Sequence, residues 1–440
     1  MNLIQASPES LFTFERLDLI IKYKFIEMVH HGVSDPFIEK LYAKHIFARL
    51  RDKFKQGEYP DGKRSVEEYA PEFIALYHKI RNKGYDTNSV IEIHEANGNF
   101  YPRDGAHRIS ICRILGLITP VKITTRKHLC WGLDSFKGSL TEEEINFAIY
   151  NHFYLKDDTR IFVIFPPAIK HINQIKKKIS DRYDIKYELD LKLNEQWQLK
   201  NLLRETYSGS MGINVYKRKK CAILKKYNIL KEGGHYNFLI LFAEGKPTGE
   251  GQDIKKEIRE DLNKFINQKD FITIHASDSI EEKKSLLNVF LNDNTLFHIK
   301  TVSKESKLVD SLLEDYLLTL KKYEIKDSVV VGSTPLDLFG LRETTDIDFC
   351  LSEQERKEKG FNEKSKRLSN TTDIVSQRPN YCRGETSDYA LINNPIYHFV
   401  YRGCKFASLK VMLDVKSILN RKKDKEDCLL INNFNRSLSR

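Results

Sequence analysis

The stretch VVVGSTPLDLFGLRETTDIDFCLS, from Val329 to Ser352, decides how the last quarter of the chain is read. Three valines form an apolar, β-branched run, and Gly332 and Ser333 follow as a tight turn. Asp346 and Asp348 then alternate in what reads as the next strand. Alternate strand residues share a face, so the two acids point together while Ile347 and Phe349 pack behind them. Carboxylate oxygens suit hard cations, and a small turn lets backbone N–H groups approach a phosphate. The residue types therefore fit a site for a nucleotide with Mg²⁺ or Mn²⁺, with Asp346 and Asp348 as metal ligands.

This pattern resembles the signature of the minimal nucleotidyltransferase superfamily: an apolar strand, Gly-Gly or Gly-Ser, a helix, then Asp-x-Asp in a second strand. Gly332 and Ser333 take the phosphate-binding positions, and Asp346 and Asp348 take the metal-binding and catalytic pair. The resemblance implies transfer of a nucleoside monophosphate from a triphosphate such as ATP or CTP, with metal ions clamping the phosphates and activating the acceptor oxygen. A third carboxylate is usual there on a later strand. The candidate strand IYHFVY after Pro395 carries His398 where an acid would be convenient. Asp373 and Asp388 read as loop-like, and Asp414 as helical. Two carboxylates leave open both a transferase and a degenerate site that only senses nucleotide. KSILNRKKDKEDCLLI looks like the family's closing helix, with Lys423 as a phosphate-binding residue beside Asp424 and Asp427. A charged, exposed helix face accounts for the same three residues.

A second motif lies in IEIHEANGNFYPRDGAHRISICRILGL, from Ile91 to Leu117. It reads as strand, turn, strand, then a loop opening a helix, with Asn97-Gly98 as a two-residue hairpin signal. Ile109, Ile111, Ile114 and Leu115 give the helix an apolar face, and Gly116 stops it. His107 and Arg108 fall in the first helical turn, where free N–H groups and the helix dipole favour an anion. Asp-Gly-x-His-Arg in this setting resembles the ParB/sulfiredoxin-like superfamily over roughly Val90 to Ile123. Sulfiredoxins carry a catalytic Cys in this loop, whereas Ala106 stands here, so that activity is not expected. Other branches bind or split nucleotides: ParB proteins use CTP, and a free-serine kinase branch phosphorylates a small hydroxyl compound. The resemblance implies Asp104 and His107 as catalytic candidates, with Gly105, His107 and Arg108 holding phosphates. A helix N-terminus capped by Asp104, with an exposed His-Arg pair, accounts for the same residues.

A chain of 440 residues exceeds one ordinary core. The reading gives a mixed α/β, multidomain protein: helices plus a ParB/sulfiredoxin-like domain over 1–135, a central α/β domain over 136–305, and a nucleotidyltransferase-like domain over 306–440. No run of about eighteen apolar residues calls for a membrane span, and MNLIQASPESLFTFERLDLII lacks signal-peptide design. Seven cysteines without CxxC spacing argue against disulfide or zinc frameworks, so a cytoplasmic location is expected. The net charge of +11 leaves nucleotides, polyanions and nucleic acid open as partners. Lysine-rich runs at 176–178, 217–220 and 421–423 also read as solvated faces.

Between the motifs, IFVIFPPA and YNFLILFAEG read as buried strands, and EQWQLKNLLRETY as a helix whose Trp197, Leu199 and Leu203 face a core. FITIHASDS ends in His275 and Asp278, placed either at the carboxyl end of a sheet or, with Ser279, at a helix cap. Near the N-terminus, KRSVEEYAPEFIALYHKI reads as a helix capped by Ser65. Glu92, His94 and Glu95 lie on the strand before the Asp-Gly-Ala-His-Arg loop, as general-base candidates or as a solvated strand edge. Taken together, the sequence points to a bifunctional enzyme, kinase-like in its first half and a nucleotidyltransferase in its last. A small hydroxyl or phosphorylated acceptor, as in surface-glycan precursors, fits that order. A nucleic-acid-binding or end-modifying protein is the alternative.

Overall fold

The computed structural model describes residues 3–55, 65, 67–96, 99–125, 131–208, 224–231, 234, 236–245, 250–266, 273–361, 365–375 and 386–438. The Asn97-Gly98 hairpin signal and the basic run at 217–220 lie outside them. The protein is mixed α/β with three separate sheets. Its contacts divide it into two units, Met1–Lys156 with Glu385–Ser387, and Asp157–Gly384 with Asp388–Arg440.

The first unit holds a four-stranded sheet, in order β1 (Leu3–Ala6), β4 (Thr119–Ile123), β2 (Ile91–Ala96), β3 (Asn99–Pro102). β2 pairs parallel with β4 and antiparallel with β3. Helices α1 (Asp18–His31), α2 (Pro36–Lys55), α3 (Tyr69–Lys83), α4 (Ala106–Leu115) and α5 (Glu142–Leu155) belong to the same unit. α1 is buried over most of its surface, through Asp18 to Tyr23, Phe25, Ile26 and Met28, as a core helix should be. α3 starts at Tyr69, not at a Ser65 cap. Pro71 has no N–H to give and fits only a first turn, which is where a start at Tyr69 places it. α5 opens with a capping box in which Thr141 and Glu144 satisfy each other's backbone N–H groups.

The second unit holds two sheets. The first runs β6 (Asp184–Leu193), β7 (Tyr236–Glu244), β5 (Thr159–Ile164), β8 (Ile274–Ala276), antiparallel throughout. With α6 (Ile172–Ser180) after β5 and α8 (Glu250–Ile266) after β7, this is a β-α-β-β-α-β arrangement. α7 (Gln196–Ser208) is inserted between β6 and β7 and buries Leu199, Leu202 and Leu203. The apolar face of α6 and α8, through Ile175, Ile179, Ile254, Ile258 and Leu262, packs on one side of the sheet.

The other sheet has six strands, in order β11 (Ser365–Arg367), β12 (Thr372–Val375), β10 (Ile347–Cys350), β9 (Val329–Val331), β14 (Cys404–Ala407), β13 (His398–Tyr401). β10 pairs antiparallel with β9 and parallel with β12. Helices α9 (Ile280–Phe290), α10 (Asp293–Thr301), α11 (Lys307–Lys322), α12 (Thr334–Leu338), α13 (Asp388–Asn393), α14 (Leu409–Leu419) and α15 (Lys422–Leu438) belong to the same unit. Val329, Val330, Ile347, Phe349, Ile374, Phe399 and Phe406 give this sheet one continuous core with α11, α12 and α14. No helix among the described residues is long and apolar enough to cross a membrane.

Candidate functional site

β9 ends at Val331 and the chain turns at Gly332, with φ of 77°, into α12. A Cβ at Gly332 would stand 2.5 Å from Oδ2 of Asp348. The turn thus runs against the carboxylate, and both that approach and the positive φ require glycine. Ser333 Oγ lies 2.8 Å from Thr344 Oγ1, so the hydroxyl expected to meet phosphate is turned onto the chain. The hydroxyls of Thr334 and Thr344 each donate to the carbonyl of Asp346 at 2.9 Å. The N–H of Thr344 donates to Asp337 at 2.8 Å. These bonds tie the first turn of α12 to the segment before β10 and fix the backbone that carries Asp346.

Asp346 stands one residue ahead of β10, and Asp348 lies within it. Both are half-buried, while Ile347 and Phe349 are fully buried. The alternation read from sequence is the one found.

Asp373 corrects the sequence reading. It lies in β12 rather than a loop, directly opposite Asp348 across a parallel ladder. Paired residues on neighbouring strands point to the same face, so Asp373 shares a face with Asp348. Its neighbours Thr372 and Ile374 are buried while Asp373 is half-buried; this period-2 alternation in TTDIV was the available signal. Sequence reasoning also missed Asp315 on α11, which accepts hydrogen bonds from the hydroxyls of Ser369, Thr371 (2.6 Å) and Thr372 (3.2 Å). Ile347 N–H donates to Thr371 O at 2.7 Å. Asp315 therefore anchors the turn that sets Asp373 beside Asp348.

Arg367, on the edge strand β11, pairs in register with Asp373. Its Nε and Nη2 donate to the two carboxylate oxygens of Asp373 at 3.0 and 3.3 Å. Hydrogen bonds to Asp373 and its charge hold the guanidinium above its ordinary pKa, and the charges of Asp346 and Asp348 add to this. Among the described residues, no three His, Cys, Asp or Glu side chains gather closely enough to hold a metal ion as they stand. The donor chemistry nevertheless fits a hard cation: carboxylate oxygens on adjacent strands, with a turn stripped of its side chain beside them.

The remaining candidates fall elsewhere. β13, with His398, is the far edge of the sheet, separated from β10 by β9 and β14. His398 is buried, with Nδ1 2.9 Å from Leu391 O. Asp388 opens α13, and burial pushes its pKa up to about 7. Asp414 is exposed on α14. Lys423 is exposed, but Asp424 and Asp427 are buried, which corrects the reading of all three as a solvated face. Asp427 accepts from Lys416 at 2.6 Å and Arg342 at 2.8 Å, and Asp424 pairs with Arg421 at 2.6 Å. His275 is buried against Glu282 at 3.3 Å, Asp278 pairs with Lys255, and Ser279 caps α9. An antiparallel sheet has no common carboxyl end, so the switch-point argument for His275 and Asp278 does not apply.

In the first unit, Gly105, with φ of 68°, precedes α4, and a Cβ there would stand 2.8 Å from the side chain of Ile91. Asp104 Oδ1 accepts from the N–H of Glu92 at 3.0 Å, and Arg108 lies 3.7 Å from its other oxygen. Arg108 also donates to the carbonyl (2.9 Å) and hydroxyl (2.6 Å) of Ser89. His107 Nε2 is 3.0 Å from the hydroxyl of Tyr42, and its ring packs on Phe73.

Asp104 to Arg108 line a cavity of about 720 Å³. Arg16, Arg49 and Arg103 add positive charge to its wall, Glu72 and Glu92 add negative charge, and Tyr69, Phe73 and Trp131 supply rings. Arg16 is held by buried Asp18, which also takes Lys22 at 2.7 Å, and Lys22 lies 3.1 Å from His45. Burial would raise the Asp18 pKa, but Arg16 and Lys22 hold it well below the carboxylate range. Burial pushes Lys22 down to about 8 despite Asp18.

Compared with known protein families, with curated proteins and with solved structures, the chain matches none of them.

Proposed function

We propose that the second unit transfers a nucleoside monophosphate from a nucleoside triphosphate, ATP or CTP, to a small hydroxyl or phosphorylated acceptor. The observation that carries this reading is the row Asp373–Asp348 on adjacent parallel strands, with Asp346 ahead of β10 and Gly332 against Asp348. Asp346 and Asp348, with Asp373 beside them, would hold Mg²⁺ or Mn²⁺. The bound ion would neutralise the phosphates and activate the acceptor oxygen. The chain's own part is positioning: Gly332 lets the turn run close against the Asp348 carboxylate, and Thr334 and Thr344 keep the Asp346 backbone in place.

The cavity of the first unit supports the companion reading, a kinase-like phosphotransfer site. The helix N-terminus at Ala106, with Arg103, His107 and Arg108, suits a phosphate. Asp104, half exposed and lining the cavity, would orient an acceptor hydroxyl. A small hydroxyl compound phosphorylated there and then joined to a nucleotide is the simplest use of both sites, as in building a surface-glycan precursor. Buried free thiols at Cys112, Cys350 and Cys404 suit a reducing cytoplasm.

The test is turnover with each of ATP, CTP, GTP and UTP plus Mg²⁺, comparing wild type with D346A/D348A, D373A and R108A. Pyrophosphate release lost in D346A/D348A and D373A but kept in R108A supports the reading of the second unit. Nucleoside diphosphate formation lost only in R108A supports that of the first. Turnover indifferent to all four substitutions would refute both.

A further inference from the structure

The carboxylate row continues one strand further than a metal site needs. Register pairs Arg367 with Asp373 and Asp373 with Asp348 across β11, β12 and β10, so all three side chains share one face. Lys366, one residue back, turns to the opposite face and lies over the ring of Phe361. Arg367 thus brings a fixed positive charge to the edge of the acidic row. Its guanidinium forks onto both oxygens of Asp373, and its side chain is 62% exposed.

We propose that Arg367 is a triphosphate-binding residue that gives up Asp373 when metal and nucleotide bind; this rests on the nucleotidyltransferase reading above. A divalent cation on the carboxylates competes with the guanidinium for the same oxygens and repels it. β11 is an edge strand, and an exposed side chain on it is free to swing on its long stem. An arginine presents the same planar fork to phosphate oxygens as to a carboxylate. The nucleotide brings such oxygens to the place the metal denies to Arg367. Ser333, one of the expected phosphate contacts, has its hydroxyl on Thr344, whereas the edge arginine is, among the described residues, a side-chain donor in register with the acidic row and suited to the anion.

The test uses the full chain and two readouts. Mn²⁺ binding is measured by calorimetry without nucleotide for wild type, R367A and R367K. KM for the preferred triphosphate and kcat are then measured for the same three. R367A is expected to bind Mn²⁺ as tightly as wild type or tighter, because a competing cation is gone. Its KM for the nucleotide should rise about tenfold or more, with kcat changed less and R367K intermediate. Weaker Mn²⁺ binding in R367A would make Arg367 a positioning residue for Asp373 and overturn the proposal, as would an unchanged KM. If wild type binds no Mn²⁺, or binds it equally well in D346A/D348A, the metal reading itself falls and takes this proposal with it. Mn²⁺ binding that depends on the aspartates, beside an R367A variant indistinguishable from wild type, sinks only the role of Arg367.

Discussion

At Gly332 a single hydrogen in place of a side chain decides whether the site exists. Gly332→Ala puts a methyl 2.5 Å from Asp348 Oδ2 and 3.0 Å from its Cβ, at a φ of 77° that alanine tolerates poorly. The backbone strain costs on the order of 1 kcal/mol. The larger consequence is displacement of the Asp348 carboxylate, because the side chain yields more easily than the sheet. G332A should therefore keep its fold, with a drop in thermal midpoint of a few degrees, while Mn²⁺ affinity falls at least about tenfold. Calorimetry beside a melting curve separates the two effects; a normal metal affinity would show that the turn does not press on the carboxylate. Gly332, Asp346 and Asp348 were legible because each has a spacing that implies a face. Asp373 was not, because four residues of strand between polar turns give period-2 alternation too little length to stand out.

Among the elements, α15 shows why charge patterns at a helix start are ambiguous. Lys423, Asp424 and Asp427 read equally well as a site or as a solvated face, since sequence does not say which side another helix covers. Asp427 turns inward to Lys416 of α14 and to Arg342 in the segment before β10, and is 1% exposed. Asp424 turns in one helical turn earlier, accepting the N–H of Arg421 at 3.1 Å and so closing the helix start. Asp427→Ala leaves the ammonium of Lys416 buried with only Asp424 at 3.9 Å for compensation. Breaking one partner of a buried pair costs about 3–5 kcal/mol, and the half-exposed Arg342 and the remaining Asp424 put D427A at the lower end. Urea unfolding should register about 3 kcal/mol for D427A and no change for K423A. Equal stability of D427A and wild type would mean that Lys416 escapes to water and the pair holds nothing together. Loss of nucleotide turnover in K423A, with stability intact, would restore that lysine to the site.

Over the whole molecule, sequence conveyed the mixed α/β character. The division falls after Lys156 because α5 closes onto the first unit through Glu144 and Lys44, which lie a hundred residues apart in sequence, a pairing no local pattern announces. Nor did the sequence say which histidines are buried, as His45, His298 and His398 are. Burial, with Arg204 adding, pushes His298 down to about 3; burial, with Lys405 adding, does the same to His398. Burial and then Lys22 hold His45 well below its usual range. These imidazoles stay neutral in the fold but take up a proton in the unfolded chain below about pH 6.5. The unfolded state then binds more protons, so stability falls as pH drops through that window and is regained as pH rises. Each such histidine contributes about 1.4 kcal/mol per pH unit once its unfolded form is protonated. In the second unit His298 and His398 together contribute a loss of up to about 3 kcal/mol per unit between pH 6 and pH 4, offset in part by Asp388, whose raised pKa makes the folded state the proton binder there; His45 contributes about half that loss in the first. His298 lies among Phe339, Phe399 and Tyr401, stacked on Phe399 at 4.9 Å, so His298→Phe keeps an aromatic ring there and removes the proton. Urea unfolding from pH 7.5 to pH 4.5 should give H298F a shallower acid slope than wild type by about one proton, with the curves converging above pH 7. Parallel slopes would mean that His298 reaches a proton in the folded state, and that the aromatic cage is open to water.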